Sequence, residues 1–375
     1  MEPTEKVSAN HIVPAERQGL VVRSAALVAR GLRDLARHSN WLTTKVFAGR
    51  SPQAAISFRG HVCAVAPHTK GEPQRLVLYD IQRGAPALAL TVPNEAMSFS
   101  SQLAANAAFS WSPNAQFLIV AWGLWEPTLH LFDLQSKMFL GTFGEFAEFP
   151  RCMTWSNRGH YFVLAGSGGQ ASLSLWAARR GGTVLSGQPT SRIGPPDWIE
   201  RQDISEAAGD QGTFAGYGRV AFSPNDSMLA SAVEIKGEWA DDSIVFVGLP
   251  SFKQQAVFHT EGHITDLTWG PDDRHLLYCA AGQAYRADTQ SLESERLPFG
   301  AELSSCHPHR ALIVCFSSWL KNSAKGRLFL VDLDTMDVLD EHPAENVVDL
   351  RWSRDGSCAY AVTRDGLAYT YEPPF

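Results

Sequence analysis

Five stretches of this chain follow one template. An apolar strand ends on an aromatic residue, a tight polar turn follows, and a second apolar strand returns. The stretches are "AAFSWSPNAQFLIVAWG" (107–123), "RCMTWSNRGHYFVLAGS" (151–167), "RVAFSPNDSMLASAV" (219–233), "DLTWGPDDRHLLYCA" (266–280) and "DLRWSRDGSCAYAVT" (349–363). Period-two apolar runs joined by Pro, Asn, Asp and Gly turns are β-hairpins. A chain that repeats one hairpin must fold as stacked copies, because a small sheet cannot bury both faces alone.

The aromatic before each turn sets the register. Trp111, Trp155, Phe222, Trp269 and Trp352 align directly, and Phe58 and Cys306 fill the same slot. Successive gaps are 53, 44, 67, 47, 37 and 46 residues, close to the period of about 40–45 residues expected of four-stranded blades. A second apolar run follows each marker, and the separation from Phe58 to Tyr79, Trp111 to Phe132 and Trp155 to Trp176 is 21 residues each time. The arithmetic predicts an all-β, seven-bladed β-propeller over residues 41–375. The last unit, 346–375, holds only three strands, and "WLTTKVF" (Trp41–Phe47) is the candidate fourth, which would clasp the chain ends together.

Composition fits. Apolar residues make up 45% of the 375, charged residues 19%, and tryptophan is frequent at 11. The formal net charge of -7 argues against a general nucleic-acid binder. The six cysteines are scattered without a CxxC pair, as expected of free thiols in a reducing compartment. No apolar run reaches the roughly 20 residues of a transmembrane helix, and the N-terminus lacks signal-peptide character. A cytoplasmic location is expected.

The motifs resemble those of WD40-repeat propellers. "EGHITDLTWGPDDRHLLYCA" carries the match best, with Gly262-His263 ahead of its strand. The Trp-Asp dipeptide survives in degenerate form as Tyr79-Asp80, Phe132-Asp133, Trp176-Ala177 and Val331-Asp332. Most blades lack the Gly-His pair, so the resemblance does not carry the family's buried His-Asp hydrogen-bond network to this chain. Propellers of the TolB and peptidase type share similar turns.

Catalytic motifs are not assembled. "AGSGG" (165–169) approximates a nucleophile elbow, but a hairpin follows where a helix is required. "CHPH" (306–309) has no second ligand pair at metal spacing. "SFRGH" (57–61) has one arginine where the phosphoinositide-binding propellers it resembles have two. Asp241-Asp242 and Asp272-Asp273 read as solvated loop carboxylates. No phosphate-binding loop, dinucleotide fingerprint or HExxH is present. No catalytic residue, cofactor or metal is expected. The rival reading is a propeller hydrolase or lyase with its site in the central channel, which would require several Asp, Glu or His side chains to converge at one mouth.

Long insertions point elsewhere. "WGLWEPT" (122–128), "EIKGEWADDS" (234–243) and "SSWLKNSAKGR" (317–327) read as connections from second to third strands, and roughly 186–216 joins the third blade to the fourth. All should emerge on one face. Each brings tryptophan: Trp122 or Trp125, Trp239, Trp319 and Trp198. Exposed tryptophan is a frequent binding anchor. The expected partner-binding set is Trp125, Trp198, Trp239, Asp241, Asp242 and Trp319. Acidic neighbours favour a basic protein or peptide, bound by a monomeric propeller within a complex.

Residues 1–40 form a separate segment, polar at first and then amphipathic. Val21, Ala25, Val28, Leu32 and Leu35 follow helical spacing, with Arg23, Arg30, Arg33 and Arg37 opposite. That arm could pack on the propeller, on a partner or on an anionic membrane. The function expected is a non-catalytic protein–protein interaction scaffold.

Overall fold

The computed structural model describes residues 40–47, 54–57, 59–66, 75–92, 107–122, 128–145, 150–166, 173–177, 191–193, 215–235, 242–260, 262–318 and 326–374. Every regular element among them is a β-strand, and the strands form seven four-stranded antiparallel sheets. The fold is a seven-bladed propeller. Blades 1 to 6 begin at Ala54, Ala107, Cys152, Ala215, Ile264 and Leu303, and each uses four consecutive strands. Blade 7 takes three strands from Val347–Trp352, Ala359–Thr363 and Leu367–Tyr371, and its fourth from Trp41–Lys45.

That closing pair runs from Trp41 opposite Tyr371 to Lys45 opposite Leu367. Trp41 is 5% exposed and its ring lies 5.1 Å from that of Tyr371. Just beyond the strand, Val46 N–H donates to the Gly366 carbonyl at 2.8 Å. Gly366 holds a φ of +82°, and a Cβ there would sit 2.2 Å from the Phe47 carbonyl oxygen. Only glycine lets the two chain segments approach this closely.

The core is divided, with one apolar cluster at each of the seven junctions between neighbouring blades. The marker aromatics end the first strands at Trp111, Trp155, Phe222, Trp269 and Trp352, as does Cys306. Phe58 lies outside the described residues. Trp111 Nε1–H reaches back to the Ala55 carbonyl at 3.2 Å, and Trp269 Nε1–H to the Ala221 carbonyl at 3.0 Å. Each therefore ties its blade to the preceding one.

The repeated turn has a physical cause. Ser112, Ser156, Ser223 and Ser353 each accept, on Oγ, the N–H of the residue five positions on. In three of them Oγ–H then donates to the Asn or Asp two residues later, Asn114, Asn225 and Asp355. The serine closes the turn and the Asx side chain orients the serine. In every blade the residue after the first strand, from Ser57 to Ser353, also donates its N–H to the carbonyl five positions on, and the second strand starts six residues after the first ends in blades 1 to 6, as from Ile56 to Val62 and from Trp269 to His275.

Those turns share one face with the connections from third to fourth strands, because successive antiparallel strands reverse direction. On the opposite face the spacing between strand ends runs from three residues, Ala280 to Gln283, to twenty-two, Ile193 to Ala215. One departure from expectation lies there: Ser191–Ile193, inside the stretch read as an interblade connection, is the outer strand of blade 3. All six cysteines are free, and burial pushes the thiols of Cys63, Cys279 and Cys315 far up, which keeps them protonated.

Candidate functional site

The aromatic anchors expected on the long loops fall between strands now defined. Trp125 lies between Trp122 and Thr128, Trp239 and Asp241 between Ile235 and Ser243, Trp319 between Ser317 and Arg327, and Trp198 between Ile193 and Ala215. These five residues lie outside the described residues, as do Arg23, Arg30, Arg33 and Arg37. Trp122, the alternative to Trp125, is a core residue: it ends a strand, is 2% exposed and packs edge-on to Phe132 at 6.3 Å.

Asp242 requires a correction, because it is not a solvated loop carboxylate. It is 3% exposed. Its Oδ2 accepts the Ile264 N–H at 2.8 Å and faces His263 Nδ1 at 3.1 Å, while its carbonyl accepts both Thr260 N–H and Oγ1–H. The Gly262-His263 pair thus has its aspartate, but only the carboxylate is buried, and the His263 side chain remains 65% exposed. The other acidic pair divides. Asp272 holds its own turn through His275 and Arg274 N–H, whereas Asp273 accepts the Asn225 N–H of blade 4 at 2.8 Å.

"CHPH" also takes a structural role. His307 is 4% exposed and meets the Trp352 ring edge-on at 4.7 Å. Its Nδ1 accepts the His309 N–H at 3.0 Å, and its Nε2 donates to the Gly356 carbonyl at 3.2 Å. Both ring nitrogens are engaged, and burial lowers the pKa, so the ring is a neutral wedge between blades 6 and 7.

The other concave site is the central channel, lined by the first strands. One mouth, of about 660 Å³, opens among the short turns, and the other, of about 940 Å³, opens on the long-loop face. Both are lined by Arg219, Asp349 and Arg351 beside apolar neighbours, so they are the ends of one passage. Asp266 lines it too. Its Oδ2 accepts the Ser304 N–H of blade 6 at 2.7 Å, and Asp349 Oδ2 accepts the Ile56 N–H of blade 1 at 2.7 Å. Arg219 Nε donates to the Thr265 carbonyl of blade 5 at 2.8 Å, and Arg351 Nε lies 3.4 Å from Asp349. Desolvation pushes the Asp266 carboxyl up to about 6, against the opposing pull of Arg219.

These channel residues were missed in the sequence, although a signal existed. Three positions before each marker the chain reads Ala55, Ala108, Cys152, Arg219, Asp266, Leu303 and Asp349. The slot that faces the axis is therefore small or apolar in blades 1 to 3 and mostly charged in blades 4 to 7. Two carboxylates converge where scattered ones were expected. Among the described residues no group of three or more His, Cys, Asp or Glu could hold a metal ion.

No protein-family model and no curated protein sequence matches the chain. Among solved structures it is similar to the β-propeller domain of Cps50 (Swd1) from Myceliophteria thermophila, with a TM-score of 0.59 at 13% identity. The match covers 88% of this chain and 100% of that domain. At that identity the likeness concerns the fold alone, a β-propeller. No helix among the described residues is long and apolar enough to cross a membrane.

Proposed function

We infer that the protein is a non-catalytic interaction scaffold whose long-loop face receives a partner protein or peptide. The observation that carries this reading is the asymmetry of the two faces. Connections on one face span five to seven residues between strand ends, except the fourteen from Ala177 to Ser191, while on the other they range from three to twenty-two. Variation concentrated on one side of a rigid support is where binding loops are built. Trp125, Trp198, Trp239 and Trp319 all belong to connections of that face. Burial of Asp242 removes one acidic group from the candidate surface, so the aromatic residues carry more of the proposal than charge does.

The test is capture of partners from native lysate, with Trp239→Ala and Trp319→Ala compared with wild type. A hot-spot aromatic contributes ~2 kcal/mol or more, about thirtyfold in affinity. Both variants should lose partner while their melting transitions stay within a few degrees of wild type. Early melting with full partner recovery would show instead that the indoles serve their own loops.

A further inference from the structure

A histidine is sealed inside the junction of blades 1 and 2. In the strand Thr128–Asp133, Leu129 and Leu131 pack toward blade 3, so His130 and Phe132 face blade 1. His130 is 0% exposed, with its ring 5.3 Å from that of Trp122 and 5.9 Å from that of Phe139. Its Nε2 meets Thr128 Oγ1 at 3.0 Å, and its Nδ1 is buried without a hydrogen-bond partner. His307, the other buried histidine among the described residues, has both ring nitrogens engaged. A neutral imidazole can be kept with one nitrogen satisfied. An imidazolium, which donates from both and carries charge, cannot be kept there without a large penalty.

The strands around the ring offer that cation little. Ala107–Trp111, Phe117–Trp122 and Ala85–Thr91 carry no ionisable side chain. Asp80 and Asp133 hold the backbone of their own turns, at the short-turn ends of their strands. Arg75 is exposed, and Cys63 and Tyr79 belong to the cluster on the blade 7 side. In Met138–Glu145 only Glu145 is ionisable, and it lies opposite Thr128. Burial lowers the His130 pKa to about 4, against roughly 6.5 for a histidine in an opened segment. Above pH 6.5 both forms are neutral and the junction is at full strength. As pH falls from 6.5 to 4 only the opened form takes the proton, so opening gains about tenfold per unit and levels off below 4.

We propose that His130 is an acid-operated release of the junction between blades 1 and 2, its protonation freeing the strands Phe117–Trp122 and Thr128–Asp133 at their long-loop ends. This goes beyond the scaffold reading and depends neither on the loop tryptophans nor on a partner.

The experiment is hydrogen exchange of the full chain, followed by mass spectrometry from pH 7.5 to 5 and corrected for the intrinsic pH dependence of exchange. Opening of peptides that span 117–122 and 128–132 should rise about thirtyfold over that range. The rise should vanish in His130→Phe, which keeps an aromatic ring of similar size. It should persist in His160→Gln, a substitution at an exposed histidine. Should His130→Phe fail to fold, the wild-type imidazole resonances give the same reading, with His130 identified by its contacts to Trp122 and Phe139. That ring should stay neutral in the folded chain to below pH 5. Equal pH dependence in His130→Phe and wild type would overturn the proposal, and so would titration of His130 near pH 6.5 in the folded chain. A rise that persists in His130→Phe but disappears in Glu145→Gln would overturn it in favour of the carboxylate. Partner capture at pH 7.5 should be the same in His130→Phe as in wild type, so this proposal and the scaffold reading can each fail alone.

Discussion

The junctions of blades 1 to 3 and those of blades 4 to 7 solve the same problem by different means. Between blades 2 and 3 the contact is a nest of aromatic and aliphatic side chains, Phe117, Ile119, Trp155, Phe162 and Trp176 among them. Their first strands present Ala55, Ala108 and Cys152 to the channel, and none of these has a side chain suited to bonding the next strand. Around the other half, polar side chains on the first strands reach across. Asp266 holds Ser304, Thr268 Oγ1 accepts the Cys306 N–H at 3.3 Å, and Ser305 Oγ accepts the Trp352 N–H at 3.1 Å. A propeller ring is thus indifferent to how a given junction is made, provided that apolar area is buried and backbone N–H groups find acceptors. The polar half consequently brings the carboxylates Asp266 and Asp349 to the channel wall from its first strands, where the apolar half brings Ala55, Ala108 and Cys152.

The largest effect should come from the apolar half. Trp176 is fully buried against Phe162, with ring centroids 5.6 Å apart. Trp176→Ala should cost about 3–5 kcal/mol, read from urea denaturation. A loss below about 1 kcal/mol would mean that this junction is looser than its packing implies. Next comes Asp266→Ala, which strips the acceptor from the Ser304 N–H. Leaving that group unsatisfied should cost about 1–3 kcal/mol, and an unchanged midpoint would remove the carboxylate from its bridging role. Smaller again is Thr268→Val, which keeps shape while deleting one acceptor, at about 0.5–1.5 kcal/mol.

A pH series probes two carboxylates of the polar half without changing folding contacts. The folded Asp266 carboxyl sits at about 6, above the roughly 4 of an unfolded aspartate. Between those values the folded chain holds a proton that the unfolded chain lacks, so this group destabilises the fold above pH 6 and ceases to do so as pH falls. Asp355 has the opposite sign. Its bonds to Ser353 and Ser357 depress it to about 2, so its contribution is lost only as pH falls below the ordinary carboxylate range. Lowering pH from 7.5 to 5 should therefore raise the melting temperature of wild type relative to Asp266→Asn, and parallel curves for the two proteins would contradict the assignment.

How much of this was legible in the sequence follows from the same contrast. The marker aromatics, the Ser-x-Asx turns and the third-strand runs are local and periodic, so they set strand order, blade number and the identity of the blade lacking a strand. That Trp41–Lys45 supplies it followed from counting, since a ring cannot leave one sheet short. The seven-residue channel slot was also periodic and could have been read three positions before each marker. It was overlooked because two carboxylates 83 positions apart, Asp266 and Asp349, look scattered until the ring brings their strands around one axis.

Other assignments depended on distance in space alone. Nothing local distinguishes Asp242 from Asp241, or Trp122 from Trp125, because burial depends on what the next blade places opposite. Asp242 is buried because Ile264 N–H and His263 arrive from the connection into blade 5, and Trp122 because it lies in the apolar cluster that joins its blade to Leu76, Leu78 and Leu90 of blade 1. By itself the sequence determined the repeat, its period and its turns, since these rest on backbone preferences and side-chain alternation within a few residues. Only the tertiary structure decided which polar groups would be buried, bridged or turned toward the channel, because those outcomes depend on desolvation and on partners from a neighbouring blade.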